Sequence, residues 1–155
     1  MKDCRTIVVG CDGSTNATDA LITAADLVDT DGTVHVVVAY HRPSEADVLR
    51  ILESLPEEFR QTFDVLEGPQ RILNSATTIL EQHGVAHEGH LVEDDAASAL
   101  LALADDTDAD LIVVGSRGLG RAARFLRGSV SSRIANHADR SVMIVKERAE
   151  ADGGS

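Results

Sequence analysis

Residues 111–132 read LIVVGSRGLGRAARFLRGSVSS, and the first five of them decide the fold class. Leu111 to Val114 form an apolar run without polar alternation, which is typical of a strand buried on both faces of a parallel sheet. The run ends at Gly115, and Gly128-Ser129 marks the start of a helix, because serine is a good N-cap. A buried strand, a glycine-rich connection and a helix in this order indicate an α/β fold.

Apolar runs and helical patterns alternate in the same way along the rest of the chain. Strands are predicted at residues 6–11, 33–40, 85–92, 111–114 and 141–146. One helix is predicted after Ser14 or Thr15, and the others are predicted at residues 45–67, 70–82, 95–105 and 129–138. Gly68 and Pro69 are expected to break the second helix from the third. The alternation predicts a parallel sheet with helices on both faces, whose ligands bind outside the carboxyl ends of the strands.

Length and charge restrict the class of protein. The 155 residues predict a single domain at residues 1–147 and a disordered polar tail at residues 148–155. The net charge of -12, from 14 basic and 26 acidic residues, disfavours sequence-independent binding to nucleic acid and to anionic membranes. Lys2 and Lys146 are the only lysines. An acid excess with so little lysine favours a halophilic protein over an ordinary acidic one.

The expected location is the cytoplasm. No apolar run reaches the ~18 residues that a membrane span requires, and the first six residues are too short and polar to begin a signal peptide. Cys4 and Cys11 are not expected to form a disulfide, because Cys11 falls in a predicted buried strand. We therefore expect a soluble protein in a reducing compartment.

The connection after residue 114 has the features of a phosphate site. Gly115, Gly118 and Gly128 let the backbone approach a ligand closely, and the amides at the start of the next helix favour an anion. Arginines at positions 117, 121, 124 and 127 concentrate positive charge in an otherwise acidic chain.

Two other phosphate-binding motifs can be checked against the sequence. A P-loop would need a lysine after its last glycine, and a dinucleotide fold would need G-x-G-x-x-G after the first strand. Neither pattern is present in the sequence.

The spacing of this loop, in which two residues separate Gly115 from Gly118 and nine separate Gly118 from Gly128-Ser129, resembles the ATP-binding signature of the universal stress protein family. The stretches IVVGCDGS, DADLIVVGSRG and GSVSSRIANHADRSVMIVK extend the resemblance over nearly the whole chain. The resemblance implies a three-layer α/β/α fold with a five-stranded parallel sheet in the order 3-2-1-4-5. Such a fold is flavodoxin-like or Rossmann-like, of the adenine nucleotide alpha hydrolase type, and its implied ligand is ATP with Mg²⁺.

The resemblance also implies a set of nucleotide-binding residues. Asp12 would accept hydrogen bonds from the ribose hydroxyls, Ala39 would offer backbone groups to adenine, and the glycine-rich loop and last helix would hold the phosphates. The full set is Gly10, Cys11, Asp12, Ala39, Val114, Gly115, Arg117, Gly118, Gly128, Ser129, Val130 and Ser131. Where the family often has Gly-x-Pro after the third strand, this chain has Asp94-Asp95-Ala96. These carboxylates would oppose a bare polyphosphate or lie near its Mg²⁺.

Two function classes remain open. One is a regulatory ATP-binding module with slow or no hydrolysis, and the other is an ATPase or a nucleotidyl- or phosphoryl-transfer enzyme on the same fold. The module is favoured because the only lysines lie near the chain ends and no general base is evident at the loop, so no catalytic residue is assigned. A preference for AMP or for a cyclic nucleotide would change the ligand and leave the class unchanged.

The stretch HGVAHEGH contains three histidines whose spacing would suit a metal ion on a helix. Gly84 and Gly89 oppose a helix there, and on a strand His87 and His90 would face opposite sides. His83, His87 and His90 are therefore not assigned as a metal site.

The last predicted strand, from Ser141 to Lys146, is short, apolar and free of proline. In the implied strand order it lies at an edge, where unpaired amides and carbonyls invite pairing. We expect a homodimer in which two copies of this strand pair antiparallel about a two-fold axis. The sequence does not identify other protein partners.

Overall fold

The computed structural model describes residues 4–116 and 129–146, and a five-stranded sheet in the order β3-β2-β1-β4-β5 forms its centre. Its strands are β1 (Thr6–Gly10), β2 (Thr33–Tyr40), β3 (Ala86–Glu93), β4 (Leu111–Gly115) and β5 (Ser141–Val145), all paired in parallel. The helices are α1 (Thr15–Leu27), α2 (Glu45–Ser54), α3 (Glu57–Arg60), α4 (Glu67–Gln82), α5 (Ala96–Thr107) and α6 (Ser129–His137). The predicted fold class and strand order are confirmed.

The two faces of the sheet carry separate apolar cores, because successive residues of a strand point to opposite sides. On one face, α1 and α4 pack over Ile7 and Val9. On the other face, α5 and α6 pack over Val8 and Ile112. The central strands β1 and β4 are therefore buried from both sides, which explains their uninterrupted apolar runs. None of the helices in the described parts of the chain has the length and apolar character that a bilayer crossing requires.

The connection between β2 and β3 departs from the sequence prediction. The continuous helix predicted at residues 45–67 is wrong, because α2 ends at Ser54 and Leu55 is extended before Pro56. Proline disfavours a helical conformation in the residue that precedes it. Gly68 and Pro69 do not break a helix either. They lie in the first turn of α4, where the amide that proline lacks would have no partner within the helix.

Arg140 ties the start of β5 to the end of α5. Its Nη1 donates to the carbonyl oxygens of Ala104 and Ala109, both at 2.8 Å, and its Nη2 lies 2.9 Å from Oδ1 of Asp105. The side chain is 14% exposed. The Ala104 carbonyl oxygen also accepts from the Ala109 N–H at 2.9 Å, so Arg140 adds charged hydrogen bonds to the backbone turn that connects α5 with β4.

We expect Arg140→Met to lower the free energy of unfolding by about 2–3 kcal/mol, since it removes charged hydrogen bonds from half-buried carbonyls. Urea denaturation followed by circular dichroism measures this loss. Arg71→Met is the matched control, because Arg71 is 75% exposed and pairs only at the surface with Glu67. Its expected cost is below about 0.5 kcal/mol. Equal losses in the two variants would contradict the role given to Arg140.

Candidate functional site

A cavity of about 170 Å³ lies at the carboxyl ends of β1 and β2. Nine residues line it: Gly10, Cys11, Asp12, Val37, Ala39, His41, Asp94, Ala96 and Leu100. The strand order reverses at β1, which pairs with β2 on one side and with β4 on the other. Ligands of doubly wound sheets bind at such a point. The structure therefore brings together Gly10, Cys11, Asp12 and Ala39, four of the residues that the sequence analysis selected.

The turn after β1 fixes the position of Asp12. Its Oδ1 accepts a hydrogen bond from the Ser14 N–H at 2.9 Å. Gly13 adopts φ +84°, a conformation that side chains other than glycine rarely take. Ser14 then caps α1 by accepting from the Ala17 N–H at 3.1 Å. The carboxylate of Asp12 is thus held at the wall of the cavity by the start of α1.

Cys11 lies one residue beyond β1 and continues its pairing with β2. Its N–H donates to the Val37 carbonyl oxygen at 3.0 Å, and the residue is 4% exposed. Burial raises the pKa of the Cys11 thiol above its ordinary value. At neutral pH the side chain is therefore a protonated thiol, which favours packing over redox chemistry.

Gly115 ends β4 beside Asn16 of α1 rather than at the cavity. A Cβ at position 115 would lie 2.9 Å from Cγ of Asn16 and 3.3 Å from its carbonyl oxygen. Asn16 is 3% exposed, and its Nδ2 donates to the Val145 carbonyl oxygen at 3.1 Å. The close packing of α1 against β4 and β5 is therefore sufficient to explain why residue 115 is a glycine. Val114 is buried in the core under α5 and α6.

The first turn of α6 contains Ser129, Val130 and Ser131. Ser131 is 3% exposed, and its hydroxyl has no hydrogen-bond partner within residues 4–116 and 129–146. Buried hydroxyls normally have a hydrogen-bond partner. A buried hydroxyl without one, in the first turn of a helix, is suited to donate to an anion. The predicted tail at 148–155 and the predicted site residues Arg117, Gly118 and Gly128 lie outside the described residues.

The two carboxylates that depart from the family pattern have different environments. Asp95 caps α5, accepting from the Ser98 N–H at 3.0 Å, and it pairs with Arg133 of α6 at 2.8 Å. The hydrogen bonds from Ser98, together with Arg133, hold the pKa of Asp95 below its ordinary value. Asp94 instead lines the cavity. Of the two acidic groups, only Asp94 is therefore part of the cavity wall.

Several residues of the cavity were not predicted from the sequence. His41 directly follows β2, so the rule that ligands bind at the carboxyl ends of strands could have identified it. Val37 and Leu100 carry no such signal, because in the sequence they are ordinary apolar residues of a strand and a helix. Their role depends on the packing of α5 across β1 and β2.

Comparisons with known proteins agree on one family. The model of the universal stress protein family matches residues 4–146. A universal stress protein of Mycobacterium tuberculosis is 31% identical over 155 residues, covering 94% of this chain and 98% of its own. One from Synechocystis is 30% identical over 144 residues, covering 91% of this chain and 85% of its own. A solved universal stress protein in complex with cAMP gives a TM-score of 0.67 at 27% identity, covering 94% of this chain and 98% of its own.

Proposed function

Because the chain belongs to the universal stress protein family over residues 4–146, we propose that it is a regulatory module that binds ATP together with Mg²⁺ and hydrolyses it slowly or not at all. The observation that carries this proposal is the cavity of about 170 Å³ at the carboxyl ends of β1 and β2, lined by four of the implied nucleotide-binding residues. The cAMP complex of a relative at 27% identity supports an adenine nucleotide as the class of ligand.

The chemistry of the cavity wall suits the parts of a nucleoside. Val37, Ala39 and Leu100 offer apolar surface to a base, and Asp12 offers a carboxylate to ribose hydroxyls. The phosphates would extend toward the start of α6, where helix amides and the buried Ser131 hydroxyl can donate hydrogen bonds. The glycines and arginines of residues 115–128 would complete this side.

Two carboxylates in the wall make Mg²⁺ part of the proposal. Asp12 and Asp94 both line the cavity, and like charges nearby oppose an anionic ligand. A divalent cation on the triphosphate offsets that repulsion and accepts oxygen ligands readily. We therefore expect ATP to bind more tightly with Mg²⁺ than without it, and AMP to respond less.

Isothermal titration calorimetry with ATP, AMP and cAMP, each with and without Mg²⁺, tests the proposal. We expect one ATP per chain and ATP turnover slower than about one per minute, well below the rate of about 1–1000 per second that is typical of enzymes. Absence of saturable binding by all three nucleotides would overturn the assignment. Clearly tighter binding of AMP or cAMP than of ATP would make that nucleotide the ligand in place of ATP. Faster turnover would favour the enzyme alternative, with His41 at the cavity as the first residue to replace.

The proposal includes a homodimer through β5. Among the described residues this strand pairs with β4 alone, and Met143 and Ile144 are 37% and 44% exposed. An edge strand with exposed apolar side chains is favourable for pairing with a second copy. About a two-fold axis, β5 of each copy would pair with β5 of the other, so that the open edges of both sheets are hydrogen-bonded.

A further inference from the structure

Three side chains that can ligate a metal ion converge on β2 and β3, and none of them lines the cavity. His35 of β2 lies in register with Glu88 of β3, and His90 lies in register with Val37, two residues farther along. Residues two apart on a strand point to the same face. His35, Glu88 and His90 therefore project from one face of the sheet, the face on which Val37 packs with α5.

Two of the distances among their ligand atoms match those within a coordination shell. His35 Nδ1 lies 3.1 Å from His90 Nε2 and 3.4 Å from Oε2 of Glu88. All three ligand atoms lie within 4.8 Å of one another. Two ligands of a tetrahedral Zn²⁺ ion, each about 2.05 Å from the metal, are about 3.3 Å apart. An ion can therefore sit between these atoms with little movement of the side chains.

The surroundings of these three side chains suit a metal ion. His35 is 9% exposed, so little solvent competes for its ring nitrogen. The Glu88 side chain is 64% exposed, so the ion could enter from solvent. The net charge of -12 also raises the local concentration of cations.

We infer that His35, Glu88 and His90 form a binding site for a divalent transition-metal ion of the Zn²⁺ type. Two imidazoles and one carboxylate are an established ligand set for this ion, and they leave a fourth position for water or another ligand. The site joins the edge strand β3 to β2, so metal binding should stabilise the folded state. His35 precedes Val37 of the cavity wall by two residues, about 7 Å along the strand. None of the three ligands lines the cavity, but His90 is in register with Val37 of its wall, so Zn²⁺ binding is tested on nucleotide-free protein.

Titration of Zn²⁺ alone into untagged, chelator-treated and nucleotide-free protein tests this inference. Calorimetry should show one Zn²⁺ per chain, and the melting temperature should rise with added Zn²⁺. His90→Gln should weaken the affinity for Zn²⁺ about 100-fold, since it removes one of only three protein ligands. Glu88→Gln should weaken the affinity at least about tenfold. Because Glu88 is exposed, this second variant keeps the test valid if His90→Gln fails to fold.

His87→Gln is the matched control for these variants. His87 lies on the same strand, but it is in register with Val34 and so faces the opposite side of the sheet. Its Nδ1–H donates to the Val85 carbonyl oxygen at 3.0 Å. This variant should bind Zn²⁺ as the unmodified protein does. Unchanged affinity in Glu88→Gln and His90→Gln, an equal loss in His87→Gln, or no saturable binding in the unmodified protein would each overturn the site.

Discussion

Ala96→Leu should weaken the binding of ATP about 100-fold, because it fills the space in which the nucleoside is proposed to lie. Ala96 is the first residue of α5 and lines the cavity of about 170 Å³. Leucine adds three carbon atoms to that space, and an overpacked site loses affinity by steric exclusion. The residue is not part of either apolar core cluster, so the fold should tolerate the change.

Calorimetry with ATP and Mg²⁺ measures this loss, and a melting curve checks that the variant is folded. Ala102→Leu is the control, since residue 102 lies on the exposed side of the same helix and the change adds the same atoms. Its affinity for ATP should match that of the unmodified protein. If Ala96→Leu is folded and binds ATP normally, the nucleoside does not occupy this cavity.

Ile144→Pro should convert the proposed dimer to a monomer, raising its dissociation constant about 100-fold. The direction of the backbone groups in β5 selects this position. The Val145 carbonyl oxygen accepts a hydrogen bond from the Ser116 N–H at 2.8 Å, so the polar groups of Val145 face β4. Backbone groups alternate in direction along a strand, so the N–H of Ile144 faces the open edge.

Proline at this position removes an outward donor from each copy, and two such losses of about 1–1.5 kcal/mol give the expected change. The donor of Met143 faces β4, so a proline there would break the sheet itself. Ile144→Ala keeps the N–H and serves as the control, with a change in the dissociation constant below about tenfold. Light scattering at micromolar concentration gives the oligomeric state. A monomeric unmodified protein would remove the dimer, and a dimer that survives Ile144→Pro would place the interface elsewhere.

The local sequence pattern was sufficient to predict the strands of the sheet, but it was insufficient to predict the helices that connect β2 to β3. The apolar runs of β1, β2 and β4 predict their own burial, and alternation with helices predicts their parallel order. Pro56 ends a helix within residues 45–67, whereas Pro69 begins one. The difference depends on whether the proline falls at the end or in the first turn of a helix. Sequence pattern places such boundaries only approximately.

The two ligand sites differ in how far the sequence could predict them. Gly10 ends β1, and Cys11 and Asp12 follow it directly, so the sequence alone indicates where this part of the site lies. His35 and His90 are 55 residues apart, and their contact depends on the register between β2 and β3. In the sequence, His35 is the one histidine within the mostly apolar stretch TVHVVVAY. Nothing in that stretch indicates the partner.

The contact between Gly115 and Asn16 affects how saturation mutagenesis of the loop must be interpreted. Position 115 will tolerate almost no substitution, whether or not nucleotide binding is required for growth. Any side chain there would collide with the Asn16 carboxamide, which joins α1 to β5. A selection for folded, abundant protein would therefore deplete variants at residue 115 as strongly as a selection for ligand binding. Comparing the two selections position by position would separate this constraint on assembly of the domain from constraints imposed by its ligand.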